Sequence, residues 1–314
     1  MKIFLAGASG VVGQHLVPLL VDAGHDVVGT STTQTGSRAV ARLGARPVVM
    51  DALDRAAVKS AVAAAEPEVV IHQLTGLKGS AGNLRRFDQE FALTNRLRTE
   101  GTANLVAAAQ AVGVRRFVAQ SFTGWTTPRT GSGPADETEG LDHEPAPESV
   151  ETLAAIADLE RQVTTAEGME GLVLRYGYLY GRGTGLSREG DIGTLVLRRR
   201  LPIVGGGAGQ WSFVHIEDAA RAAALAVSTG EPGVYNIVDS RPARPAEWIP
   251  VFAAAVGAPR PRKLPGWLAA PMIGHLGMLM MTAMRGSSNA KARRELGWEP
   301  VYPDWELGFR RGFD

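Results

Sequence analysis

The chain contains no cysteine. Disulfides, thiolate metal sites and cysteine nucleophiles are therefore excluded. Aromatic residues are scarce, at 6%, and net charge is nearly absent: 33 basic residues stand against 32 acidic ones, for a formal +1. The dense basic run Arg198-Arg199-Arg200 is isolated, so the basic face that nucleic acid requires is missing. No His, Asp and Glu residues cluster with metal-ligand spacing, so no metal is expected. The opening MKIFLAGASG has too short an apolar run for a secretory signal, and a cytoplasmic location is expected. The apolar stretch LPGWLAAPMIGHLGMLMMTA (264–283) is long enough to span a bilayer. Pro265, Pro271, three glycines and His275 interrupt it, which disfavours a membrane span. It reads instead as a Met-rich helix or helix pair packed over a pocket or partner.

With 314 residues and 45% hydrophobic content, the chain can build one large α/β domain and a smaller appendage. Short apolar strands alternate with helical patterns: KIFLAG (2–7), HDVVGT (25–30), RPVVMD (46–51), EVVIHQ (68–73), RRFVAQS (115–121) and GLVLRYG (171–177). Helices are expected over about 11–23, 55–65, 84–112 and 148–167. This alternation implies parallel βαβ units in a doubly wound sheet. Continuous apolar strands fit a sheet covered on both faces. The loop 124–147, rich in Gly, Pro, Asp and Glu, leaves the carboxyl end of a strand, where such sheets bind ligands. It reads as a flexible wall of a substrate site. Residues 1–180 and 210–239 are expected to form the dinucleotide-binding domain. Residues 181–209 and 240–314 form a small substrate-binding cap.

LAGASGVVGQHL carries the strongest motif. Gly7, Gly10 and Gly13 form G-x-x-G-x-x-G between a strand and a helix. They allow a tight turn, close approach of backbone to a pyrophosphate, and close helix–strand packing. Ser9, Val11 and Val12 complete the loop and opening turn, where free N–H groups meet phosphate. No carboxylate lies between residues 27 and 38 to hold a ribose 2′-hydroxyl. Ser31, Thr32 and Arg38 are available to hold a 2′-phosphate instead, which favours NADP, with NAD as the alternative. Arg38 reads equally well as a solvated helix residue.

These features, with MDALD (50–54), VVIHQ (69–73), the 94–121 segment, LRYGYLYGRG (174–183), WSFVHIEDAARA (211–222) and SNAKARRELGWEP (288–300), resemble the extended short-chain dehydrogenase/reductases. These are relatives of the nucleotide-sugar epimerases and dehydratases. The resemblance covers nearly the whole chain. It implies that Asp51, Ala52 and Leu53 flank the adenine and that Gln73, Leu74 and Thr75 line the cofactor's far side. It implies that Asn95 braces the sheet near the active site, and that Tyr176 and Tyr178 lie near the nicotinamide. It also implies a possible homodimer seam from the long helices at 84–112 and 149–167.

The family's chemistry uses a tyrosine as proton donor, a lysine four residues later and a serine or threonine that orients the substrate. ESVETLAAIADLE (148–160) occupies the helix concerned and has neither tyrosine nor lysine. Glu160 matches the acidic residue four places after the lysine, which puts the lysine position on Ile156 and the tyrosine position on Thr152. No tyrosine precedes Tyr176 and no lysine lies between Lys78 and Lys263, so no register restores the pair. Ser121 and Thr123 remain as hydroxyl candidates, although the closest register gives Phe122. Tyr176 and Tyr178, placed on one face by strand alternation, are further proton donors. Asp142, His143, His215 and Asp218 are weaker candidates, and His72 reads as structural. Three readings stay open: an NAD(P)-dependent oxidoreductase or epimerase-like enzyme acting on a small organic molecule with non-standard residues; a non-redox isomerase, cyclase or lyase; or a non-catalytic nucleotide sensor.

Overall fold

The computed structural model describes residues 1–77 and 82–311. Eleven strands are described: β1 (Lys2–Ala6), β2 (Asp26–Ser31), β3 (Arg46–Val49), β4 (Val69–His72), β5 (Arg116–Phe122), β6 (Glu170–Tyr176), β7 (Tyr178–Tyr180), β8 (Ile203–Val204), β9 (Phe213–His215), β10 (Gly233–Ile237) and β11 (Lys263–Leu264). The helices of the first half are α1 (Val11–Asp22), α2 (Gln34–Arg42), α3 (Arg55–Ala65), α4 (Phe87–Glu90), α5 (Ala92–Arg96) and α6 (Thr102–Ala111). The second half adds α7 (Val150–Thr164), α8 (Asp191–Leu197), α9 (Ile216–Leu225), α10 (Pro245–Ala255), α11 (Gly266–Thr282) and α12 (Trp305–Arg311).

Seven parallel strands form the central sheet in the order β10-β6-β5-β4-β1-β2-β3. The apolar runs of β1, β4 and β6 are buried, as a sheet covered on both faces demands. One face buries Leu16, Val17 and Ala223 of α1 and α9; the other buries Val62, Leu105 and Leu159 of α3, α6 and α7. The strand order reverses between β1 and β4, which opens a crevice at their carboxyl ends. A third core, built on Phe213, Trp248, Phe252 and Phe309, lies beneath α10, α11 and α12.

Four expectations change. α2 was not anticipated, because QTGSRAVAR buries only Val40 and offers no apolar stripe. The helix expected over 84–112 is broken into α4, α5, a π-helical turn at Leu97–Gly101, and α6. The widened turn presents Leu97, Arg98 and Gly101 to the interior. Tyr176 and Tyr178 do not share a face. Gly177 ends β6, a Cβ there would lie 2.5 Å from the Ser212 carbonyl oxygen, and β7 pairs with β9 in a separate two-stranded sheet. Tyr176 therefore enters the first core and Tyr178 packs on the third.

The fourth change concerns the loop 124–147, which is pinned rather than loose. Arg285 donates to the carbonyl oxygens of Thr130, Ser132 and Gly133 and forms an ion pair with Glu139. Ala135 exchanges backbone hydrogen bonds with Gly286 and Ser288. The apolar stretch 264–283 is a helix pair, as expected: α11 bends at Gly274, whose φ is +70°. Among the described residues no helix is long and apolar enough to cross a membrane.

Candidate active site

The glycine loop at the crevice is shaped by close approach. Gly7 has φ +93°, and a Cβ there would lie 2.7 Å from the Gln73 carbonyl oxygen. Its carbonyl accepts the Gly10 N–H at 3.0 Å and its own N–H donates to Thr30 Oγ1 at 3.2 Å. A Cβ on Gly13 would overlap the carbonyl oxygens of Gly7 and Ala8, so only glycine lets α1 sit on the loop. Gly10 caps α1 without a side-chain partner, and the first turn carries no acidic residue. Gly10 and Val11 are exposed, Ser9 is half-buried and Val12 is buried. The result is an open, electropositive helix end.

Around it, the Asp51 carboxylate accepts the Leu53 N–H at 2.9 Å and the Ala52 carbonyl accepts from Asn104 Nδ2 at 2.9 Å. Thr32 and Arg38 are exposed, and Arg38 pairs with no carboxylate among the described residues. Ser31 is different: its side chain is covered by the first turn of α2 and its hydroxyl accepts the Thr33 N–H. Gln73 Nε2 donates to the Tyr176 hydroxyl at 3.2 Å, while Gln73 Oε1 is buried without a hydrogen-bond partner among the described residues. Leu74 is half-buried and Thr75 is exposed. A cradle that any Cβ would fill, beside an orphaned acceptor, fits a dinucleotide. His72 is structural. Its Nδ1 accepts the Leu74 N–H at 3.1 Å, so Nε2 carries the proton toward Thr102 Oγ1, and burial lowers its pKa to about 4.

α7, which contains neither tyrosine nor lysine, is closed around Thr152 and Ile156. Thr152 is fully buried; its hydroxyl donates to Asp88 Oδ1 at 2.6 Å and accepts from Asn95 Nδ2 at 3.0 Å. Asp88 also accepts the N–H groups of Glu151 and Thr152, capping α7 from a neighbouring helix. Asn95 thus braces α7 rather than a strand. Ile156 is a core residue with 0% exposure. One turn on, Glu160 forms a bidentate pair with Arg175 at 2.7 and 2.6 Å.

The remaining hydroxyl candidates are engaged. Ser121 donates to Glu160 Oε1 at 2.7 Å and so belongs to that buried ion pair. Thr123 is fully buried and bonded to Ser287 Oγ at 2.6 Å. Tyr176 is held by Gln73, and burial pushes its phenol well above the ordinary tyrosine range. Tyr178 donates to Met284 Sδ at 3.5 Å, and burial raises its phenol likewise. Asp142 is paired with Arg129 at 3.3 Å. Asp218 accepts the Val301 and Tyr302 N–H groups, and the His215 ring lies on Tyr302. His143 is exposed on the loop.

Sequence reasoning missed Asp88, Arg98, Arg175 and Ser287, and it read Arg285 as a cap cation available to substrate rather than as the anchor of the loop; these roles depend on partners distant in the chain. Arg98 is buried near Glu160, and desolvation lowers its pKa to about 10.

The family described as NAD dependent epimerase/dehydratase matches residues 3–238. The chain belongs to that family. It is an NAD(P)-binding enzyme of the oxidoreductase and epimerase-like kind. A 3-diazoavenalumate denitrifying reductase from a Streptomyces species is 46% identical over 314 residues, 99% of this chain and 100% of the relative. Among solved structures, the UDP-glucose 4-epimerase of Thermotoga maritima aligns with a TM-score of 0.77 at 22% identity, covering 99% of this chain and 97% of that one. A dTDP-glucose 4,6-dehydratase from Streptomyces venezuelae with NAD bound gives 0.77 at 21% identity, covering 99% and 95%. These two establish the shared fold.

Proposed function

We propose that the chain is an NADPH-dependent reductase that replaces the dinitrogen of an electrophilic diazo (diazonium) compound with hydrogen. One observation carries this reading: at the family's two catalytic positions, Thr152 is spent between Asp88 and Asn95, and Ile156 is sealed in the core. Carbonyl reduction needs a proton on oxygen. The hydroxyls nearby are tied to partners and the phenols are poor acids. Loss of dinitrogen from a diazonium carbon needs no proton. The carbon–nitrogen bond breaks with its electron pair leaving on dinitrogen, and hydride forms the new carbon–hydrogen bond. When bound, reduced nicotinamide supplies that hydride. The relative at 46% identity is named for a denitrifying reduction of a diazo compound, which supports the same chemistry here.

The residues divide the work accordingly. Gly7, Ser9, Gly10, Val11, Val12 and Gly13 hold the pyrophosphate at the end of α1. Asp51, Ala52 and Leu53 take the adenine. Thr32 and Arg38 take a 2′-phosphate, which favours NADP(H), with Ser31 only shaping the turn beneath them. Gln73, Leu74 and Thr75 line the far side. Residues 1–180 and 210–239 bind the nucleotide, and 181–209 and 240–314 cap the substrate. Ser121, Thr123, Tyr176 and Tyr178 position the site without donating protons. The exposed Leu93 and Val150 on α5 and α7 support a homodimer seam there.

The test is incubation with NADPH or NADH and an arenediazonium salt. One dinitrogen should appear per NADPH oxidised, above the protein-free rate, and calorimetry should find NADPH bound more tightly than NADH. NADPH oxidation without dinitrogen, or no oxidation, contradicts the reaction; tighter NADH contradicts the Arg38 assignment.

A further inference from the structure

Where hydroxyl groups were expected at the carboxyl end of β5, the structure places rings. Phe122 ends β5 and stands edge-on to Tyr178, with ring centres 5.1 Å apart and planes at 87°. Tyr178 stacks on Trp211 at 4.1 Å and 29°. Phe122 and Tyr178 are half-buried, whereas Trp211 is buried. Gly124 makes the approach possible. Its φ is +145°, and a Cβ there would lie 2.9 Å from the Tyr178 ring and 3.2 Å from the Phe122 ring. Gly124 is itself buried, so its backbone packs directly on the edges of both rings.

The polar atoms of this wall are turned away. Trp211 Nε1 donates to the Met280 carbonyl oxygen at 2.7 Å, and the Tyr178 hydroxyl is directed to the Met284 sulfur. What the wall offers a ligand is aromatic surface. It begins at Phe122, the last residue of β5, and the carboxyl ends of the strands are where open α/β sheets bind ligands. A sugar presents hydroxyls that such a wall leaves unpaired. A flat ring gains offset or edge contacts against Phe122 and Tyr178, and an electron-poor ring gains further against an aromatic face.

We infer that Phe122 and Tyr178, backed by the buried Trp211, form one wall of a stacking slot that selects planar aromatic substrates and sets their ring beside the cofactor. This rests on the reductase reading above and narrows it to diazo groups carried on an aromatic ring.

The test uses the full-length protein with NADP and two carboxylates of similar size, 4-hydroxybenzoate and 4-hydroxycyclohexanecarboxylate, in calorimetry. The flat probe should bind at least about tenfold more tightly. Phe122→Ala and Tyr178→Leu should abolish that preference, Tyr178→Phe should keep it, and NADP affinity should be unchanged in all three. Equal affinity for the two probes, no binding of either, or a preference that survives Phe122→Ala with NADP binding intact overturns the slot. Dinitrogen release by a protein without planar preference would overturn the slot and leave the reductase standing. Planar preference without any reductive turnover would do the reverse.

Discussion

At the scale of single residues, Thr152 and Ile156, where the resemblance places the family's catalytic pair, are held in structural roles. Thr152 is locked by two hydrogen bonds and has no acidity of use near neutrality. Thr152→Val should leave turnover within about tenfold, a barrier change under about 1.4 kcal/mol. It should cost about 1 kcal/mol of stability, because Asp88 and Asn95 each lose a partner. Steady-state kinetics and urea denaturation check both; a collapse of turnover with the fold intact would return the chemistry to this helix. His72 gives a second expectation. It is held neutral, with its pKa lowered from 6.5 to about 4 by burial. Below pH 6.5 the unfolded chain takes up a proton that the folded chain refuses. The contribution is complete above pH 6.5 and is lost as pH falls toward 4, by on the order of 3 kcal/mol. Urea titrations at pH 7 and pH 5 should show a smaller loss for His72→Asn than for the parent protein; an equal loss would place the titration elsewhere.

At the scale of elements, local pattern located the strands but not the attachments. β1, β4, β5 and β6 were legible because apolar runs of strand length have few alternatives. α2 was not, because a helix that buries one valine leaves no periodic trace. The composition of 124–147 suggested looseness, and nothing local reveals that Arg285, well over a hundred positions away, binds three of its carbonyl groups. The engagement of Ser121 was hidden for the same reason: its partner Glu160 and that residue's partner Arg175 come from α7 and β6. The loop prediction follows from the anchor. Hydrogen exchange should find the Ala135 amide, which donates to the Gly286 carbonyl oxygen beside the anchor, protected in the parent protein and released in Arg285→Ala, with the sheet unaffected. Equal exchange in the two proteins would show that the anchor does not order the loop.

At the scale of the whole molecule, the nucleotide half was readable because G-x-x-G-x-x-G works through backbone approach, which sequence states directly: the bare Cα positions of Gly7 and Gly13 are what the loop needs. The aromatic cluster at the end of β5 was less readable. It joins Phe122, Tyr178 and Trp211 from separate segments, and Gly177 turns Tyr178 away from the face that alternation gave it. The proposed function makes this a dinucleotide fold that keeps the hydride site and has given up the proton site. The most direct test of that claim is turnover of a diazonium substrate with NADPH in water and in deuterium oxide, across pH 6 to 8. The account predicts equal rates in the two solvents, no pH step, and no solvent deuterium on the carbon that loses nitrogen. A slower rate in deuterium oxide with a titrating step, or deuterium at that carbon, would show that a proton is transferred in the chemical step and would contradict it.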